Sequence, residues 1–224
     1  MFSSEIYKFL SSINPFKELS TEDLKTICSK TREKSYGKEE TIFNEGDLAD
    51  SVWVLYKGRI QILKYTSESR AFAIESLGPG ELFGTLCRLG GNGRTYPCTA
   101  KAAESSTVLQ ILDHTFLEYY MKSPGMVRGL CTLCADRLKD VQDLRCMGQE
   151  SVPVRVASIL GRLEQVHGET LPFTKREISE LVGITLETTF RTLSDFQKKG
   201  YLTSLRGKIR IKQPQKLKEI VDNA

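Results

Sequence analysis

Glu187 and Arg191 stand four residues apart, and their types and spacing fit a recognition chemistry. On a helix that spacing puts both on one face. A guanidinium there can give two hydrogen bonds to guanine O6 and N7, and a carboxylate can accept one from cytosine N4, so the pair suits a G·C step in a major groove. The plain alternative is a solvated surface ion pair, and the surrounding sequence decides between them. Phe190 and Ser194 join the outer face, while Leu193 and Phe196 fall on the opposite, inward one.

The elements that must position this pair are written just upstream. In residues 173–202, FTKREISELVGITLETTFRTLSDFQKKGYL, Thr174 with Glu177 forms a T-x-x-E capping box and Phe173 with Ile178 takes the hydrophobic-staple positions, so a helix starts at Lys175. Ile178, Leu181 and Val182 bury its inner face, Gly183 permits a sharp turn, and Thr185 caps the next helix. This is a helix-turn-helix. Beyond Gly200, YLTSLRGKIRIK alternates around Arg206-Gly207 and reads as a two-stranded wing. Expected base contacts are Glu187, Phe190 and Arg191; expected phosphate contacts are Thr174, Lys175, Thr185, Thr188, Arg206 and Lys208. Charge agrees with this: residues 153–224 hold 13 Lys and Arg against 8 Asp and Glu, net +5, while the rest of the chain holds 19 against 20, net −1. Residues 191–212 carry seven basic residues and one acid, Asp195, a surface for a polyanion such as double-stranded DNA.

A chain of 224 residues with 40% apolar content can bury a real core in two modest domains. From about Lys34 to Leu112, short apolar runs such as SVWVLY and RIQILKY alternate with turn signals, among them Lys57-Gly58-Arg59 and Gly78-Pro79-Gly80. That pattern predicts an antiparallel β-roll. Ser20, three residues before Asp23, caps a preceding helix through Leu24 and Ile27. A long helical pattern follows from Asp113 to Gly148, interrupted near Pro124. In it Val127, Cys131, Cys134, Leu138 and Val141 recur at spacings of 4, 3, 4 and 3, a narrow seam suited to a two-stranded coiled coil and hence a homodimer. Gly148 to Pro153 breaks the pattern as a hinge. The expected architecture is α+β: an N-terminal helix and β-roll over 1–112, a dimerisation helix over 113–148, and a winged helix-turn-helix over 149–224.

Several function classes are disfavoured. No apolar run approaches the roughly 18 residues of a membrane span, and MFSSEIYKFL lacks the features of a signal peptide, so a cytoplasmic chain is expected. Its six cysteines are scattered and read as reduced thiols. Cys131-x-x-Cys134 could place four thiols at a dimer seam, for a metal or an intersubunit disulfide, but small buried cysteines packing the seam is the favoured reading, and no metal site is assigned. Cys87 and Cys98 are further redox candidates. A cupin-like enzyme needs several histidines converging on a metal, yet both histidines, His114 and His167, lie outside the β region; no catalytic residue is assigned.

Taken together these phrases resemble the cyclic-AMP receptor / fumarate-nitrate regulator (Crp/Fnr) family over nearly the whole length. The resemblance rests on IFNEGDLADSVWVLYKGRIQI, on GPGELFG with Arg94-Thr95, and on the dimer helix and winged helix-turn-helix in family order. It implies a cyclic-nucleotide-binding-like jelly roll whose effector repositions the DNA-binding domains, with RNA polymerase as a partner. LVGITLETTFRTLSDFQKKGYL is similar to the fumarate-nitrate branch, where the matching Glu and Arg read a TGA core in each half of a palindrome. Leu186 stands where the cyclic-AMP branch has a DNA-contacting Arg, and Phe190 where the fumarate-nitrate branch commonly has Ser. Cyclic-AMP readers follow the roll glycine with a Glu for the ribose, use an Arg-Ser pair for the phosphate and a Thr-Ser pair for adenine. Here the effector-pocket positions are Gly84 and Thr85, Arg94 and Thr95, and Val141 and Gln142, which keep the phosphate arginine but neither the ribose carboxylate nor the adenine hydroxyls. Cyclic AMP is disfavoured, and Arg94 serves another anionic ligand or a structural salt bridge. No cysteine precedes Cys28, which disfavours an N-terminal iron–sulfur cluster. Haem would need the two histidines, which read as surface or packing residues. The alternative function is a sensory module acting through a protein partner.

Overall fold

The computed structural model describes residues 4–67, 71–84 and 95–223. They form two compact units, one of the described residues within 4–64 and 74–139 and the other of those within 65–73 and 140–223.

The first unit is a roll of two four-stranded sheets. Strands β1 (Arg32–Tyr36), β3 (Ser51–Lys57), β6 (Leu82–Phe83) and β8 (Ser106–Leu112) pair in the order β1-β8-β3-β6. Strands β2 (Thr41–Phe43), β4 (Ile60–Tyr65), β5 (Ala71–Leu77) and β7 (Thr99–Ala102) pair in the order β2-β7-β4-β5. Alternation along β3 explains why its first five residues are all buried. Trp53 and Leu55 enter a core with Phe43, Ile60, Ile62 and Ala100 of the other sheet. Val52 and Val54 turn the opposite way, onto helices α1 (Ser4–Leu10), α2 (Thr21–Lys30), α3 (Asp113–Lys122) and the start of α4 (Pro124–Met147). One strand thus serves two cores, as period-2 geometry allows. Its polar groups stay satisfied: Trp53 Nε1 donates to Tyr96 Oη at 3.0 Å, Tyr96 Oη donates to the Ser51 carbonyl at 2.8 Å, and Gln110 Nε2 donates to Ser51 Oγ at 2.7 Å. Lys57-Gly58-Arg59 turns as its composition predicts. Gly58 has φ 91°, and a Cβ there would meet Ser106 Oγ at 2.3 Å. The capped helix at Ser20 is α2, with Asp23 N–H donating to Ser20 Oγ at 3.1 Å.

The helical pattern after the roll is two helices, broken at Ser123. On α4, Met126 and Leu130 are buried and Leu133 and Cys134 half-buried against the helix-covered core, while Cys131, Leu138 and Val141 are exposed. Among the described residues no helix is long and apolar enough to cross a membrane.

The second unit orders α5 (Val152–His167), β9 (Thr170–Leu171), α6 (Lys175–Val182), α7 (Leu186–Lys198), β10 (Leu202–Leu205), β11 (Lys208–Ile211) and α8 (Pro214–Asp222) around one core that includes Leu160, Phe173, Ile178, Leu193, Phe196 and Ile209. The wing is present as expected, with Leu205 opposite Lys208 across Arg206-Gly207. A third strand, β9, adds to it through Leu171 opposite Ile209.

Candidate nucleic-acid interface

The local order that aims α7 begins at Thr174. Its amide donates to Glu177 Oε2 at 2.6 Å, and the Glu177 amide donates back to Thr174 Oγ1 at 3.2 Å, a complete capping box. Phe173 and Ile178 are fully buried on either side of it. At the other end Gly183 takes φ 70° and ψ 42°, the left-handed conformation that lets α6 stop and the chain turn within two residues. The Arg155 guanidinium donates to the Val182 carbonyl, one of the acceptors that the helix end would otherwise leave open. Thr185 then caps α7 by accepting from the Thr188 amide at 3.2 Å. Thr174→Ala is expected to destabilise this unit by about 1 kcal/mol, read as a lower urea midpoint of the helical circular-dichroism signal.

Along α7, Thr189, Thr192, Leu193 and Phe196 are buried, and both threonine hydroxyls donate to carbonyls four residues back. Leu186, Glu187, Phe190, Arg191 and Ser194 are exposed. Among the described residues no ion pair joins Glu187 to Arg191 or engages either with another side chain. Both keep their hydrogen-bonding capacity for an outside partner.

The expected phosphate contacts surround this face. Lys175 lies in the first turn of α6 with Nζ 4.3 Å from the centre of the Phe190 ring, a cation–π contact that anchors its stem beside α7. Arg206 and Lys208 are exposed at the wing, which the Gln197 side chain ties to α7 by accepting from the Ser204 amide at 2.9 Å. Thr185 and Thr188 share a hydroxyl–hydroxyl bond of 2.8 Å at the start of α7. Of the basic residues around them, Arg210 stands 3.8 Å from Glu169 and Lys198 4.0 Å from Asp195, exposed pairs that water screens. A groove of about 450 Å³ runs between α7 and the wing, with Lys175, Leu186, Phe190, Leu205 and Arg206 on its walls. Arg176 lines it too, and both Arg176 and Leu205 were missed by sequence patterning; the signal of Leu205 was an apolar residue directly before an exposed Arg-Gly turn.

Of the effector positions, Gly84 and Thr95 are described and Thr85 and Arg94 lie outside the described residues, as does Cys87. Gly84 sits against Tyr96 and Trp53, and Thr95 bridges to Leu48. Val141 and Gln142 are exposed on α4. The proposed seam is more divided than its spacing implied. Residues three apart on a helix differ in direction by roughly 60°, and Cys134 leans onto the roll core while Cys131 faces out. Burial raises the Cys134 thiol pKa and pushes Cys28 up to about 11, which disfavours the reactive thiolate at both. Cys98 packs at the edge of the inter-sheet core. His114 is exposed on α3, and His167 packs edge-on against Phe173 at 5.2 Å.

A roll of this topology followed by a capped helix-turn-helix with a wing defines a sensor domain joined to a DNA reader. Residues 33–123 match the cyclic nucleotide-binding domain and residues 154–220 the Crp-like helix-turn-helix domain. The chain is 26% identical over 207 residues to the cyclic AMP receptor protein of Thermus thermophilus, covering 92% of this chain and 95% of that protein. It is 23% identical over 211 residues to the nitrogen fixation regulation protein FixK of Bradyrhizobium diazoefficiens, covering 90% and 87%. The structure of FixK2 from Bradyrhizobium japonicum shares the fold with a TM-score of 0.76 at 24% identity, over 85% of this chain and 96% of that one. So does the c-di-GMP responsive global regulator CLP of Xanthomonas campestris, with a TM-score of 0.74 at 17% identity, over 86% and 99%. The chain belongs to the Crp/Fnr family of DNA-binding transcription regulators.

Proposed function

We propose that this protein is a cytoplasmic homodimer that binds a palindrome with TGA-containing half-sites and regulates transcription through RNA polymerase. Glu187 and Arg191 read the G·C step, Phe190 meets a neighbouring base, and Thr174, Lys175, Thr185, Thr188, Arg206 and Lys208 hold phosphates. Residues 1–112 receive the signal, 113–148 supply the dimer helix and 149–224 read DNA. The observation that carries this reading is the unpaired, outward Glu187 and Arg191 on a helix capped at Thr185 and flanked by a basic wing. A docking surface for a protein would not need that combination of bidentate donor, paired acceptor and phosphate-binding rim.

The effector acts at the roll, near Gly84, Thr85, Arg94 and Thr95, and on the α4 seam. One relative is named for cyclic AMP and one protein of the same fold for c-di-GMP, so this fold accommodates different anionic signals. Here the ribose carboxylate and adenine hydroxyls of a cyclic-AMP reader are replaced by Thr85, Val141 and Gln142. The decisive experiment is selection of bound DNA from a random pool, with and without cyclic nucleotides, haem and oxidant. A palindrome with TGA halves is expected, with occupancy that responds to one additive; a pool that shows no enrichment refutes the reading.

The phosphate contacts have their own signature. Lys208→Gln is expected to weaken binding to selected and scrambled duplexes alike, and to lower the slope of log affinity against log salt by about 2 for the dimer, since each contact contributes about 0.9 and occurs twice. An unchanged slope removes Lys208 from the interface.

A further inference from the structure

Among the described ion pairs, one has both side chains less than a third exposed. It joins Arg137 on α4 to Glu75 on β5, Nε to Oε1 at 2.9 Å, with the two side chains 13% and 29% exposed. Every other described pair has a partner far more open to water, where such contacts contribute little. The same guanidinium donates through Nη2 to the Leu82 carbonyl on β6. Strands β5 and β6 belong to different sheets of the roll, so one side chain of α4 is tied to both. In this partly buried setting charge is weakly screened, so Glu75 holds Arg137 and meets any other anion as a like charge.

The place of the pair gives it a consequence for ligands. Strand β6 leads directly into Gly84, and Arg137 stands one helical turn before Val141, so the tie joins the strand and the helix that carry effector positions. A guanidinium there suits the phosphodiester of a cyclic nucleotide. A carboxylate of the chain itself already sits on it.

We propose that Glu75 is a built-in counter-anion. It occupies Arg137 in place of an anionic ligand, ties α4 to the roll before any ligand arrives, and turns the effector site away from cyclic nucleotides towards small molecules that carry no negative charge. The proposal rests on the reading above that the effector acts at the roll and α4, and it names the charge class which that reading leaves open. Glu75 acts here as a specificity residue. Replacing its carboxylate by an amide leaves the Arg137 charge partly buried and uncompensated, which is what an anion receptor requires.

The test is titration calorimetry of the full-length protein with cyclic AMP and with adenosine, which keeps the base and sugar but lacks the charge. Glu75→Gln is expected to bind cyclic AMP at least roughly tenfold more tightly than the wild type, with no comparable gain for adenosine. Adding Arg137→Gln to that variant should return cyclic AMP binding to the wild-type level. Glu75→Thr, whose β-branched side chain suits a strand, takes its place if the glutamine variant does not fold. Equal binding of cyclic AMP by wild type and variant overturns the proposal, as does a gain shared by adenosine or one that survives the loss of Arg137. Wild-type protein that binds cyclic AMP with micromolar affinity overturns it whatever the variants do. DNA selection is a separate readout: a Glu75→Gln variant indifferent to cyclic AMP that still binds the selected palindrome sinks the counter-anion alone, whereas a pool without enrichment removes the regulator reading beneath it.

Discussion

Phe173→Ala is expected to destabilise the C-terminal unit by about 3 to 5 kcal/mol and to abolish DNA binding with it. The ring is fully buried in the same core as Ile178, with His167 edge-on at 5.2 Å. Truncation leaves a ring-sized void in a small core and removes the staple that sets the angle at which the chain enters α6. A domain typically has about 5 to 15 kcal/mol to lose, so this one change takes a large share. The two units can be followed separately because the only tryptophan, Trp53, lies in the roll. In urea, the variant should lose in an early step the part of its helical circular-dichroism signal that α5 to α8 contribute, while Trp53 fluorescence changes at the wild-type midpoint. A circular-dichroism midpoint equal to that of the wild type would show that Phe173 is dispensable.

What could be read from the sequence was what is encoded locally. Thr174 and Glu177 bond each other across three residues, Ser20 caps within three, and Arg206-Gly207 closes a hairpin whose register follows from the turn, so each leaves its mark inside a short window. The outward set of α7 was legible for the same reason: once the cap fixes the helix start, period 3.6 assigns every face. The elements that were missed depend on distant partners. Strand β9 is two residues long and exists because Leu171 meets Ile209, far along the chain. Helix α1 holds its place through Ile6 and Leu10 in the core beneath the sheet. On α4 the sequence showed one apolar stripe, Val127 to Val141, but Met126, Leu130 and Leu133 make a second that packs on the roll. With two apolar stripes on one helix, spacing alone does not say which face packs on the roll. Leu205 was overlooked because one exposed leucine is unremarkable; it gains meaning only when folding brings it beside Leu186 and Phe190.

Arg191 separates recognition from attraction. Arg191→Ala is expected to reduce discrimination in favour of the guanine by about 1 to 3 kcal/mol per half-site, a loss of roughly fivefold to 150-fold, while the fold is preserved because the side chain is exposed and makes no ion pair among the described residues. That change also deletes a charge, so by itself it would confuse base reading with general affinity for a polyanion. Arg191→Lys resolves the two. Lysine keeps the charge and leaves the salt dependence nearly unchanged, yet its single ammonium lacks the planar fork that meets guanine O6 and N7 together. Binding of Arg191→Lys to scrambled duplex should therefore stay near the wild-type level, while its preference for the guanine duplex over one with adenine at that position collapses. Fluorescence anisotropy against the two matched duplexes at several salt concentrations measures both quantities. Were the lysine variant to discriminate as well as the wild type, Arg191 would be acting as a plain cation and the reading of the G·C step would have to come from elsewhere on α7.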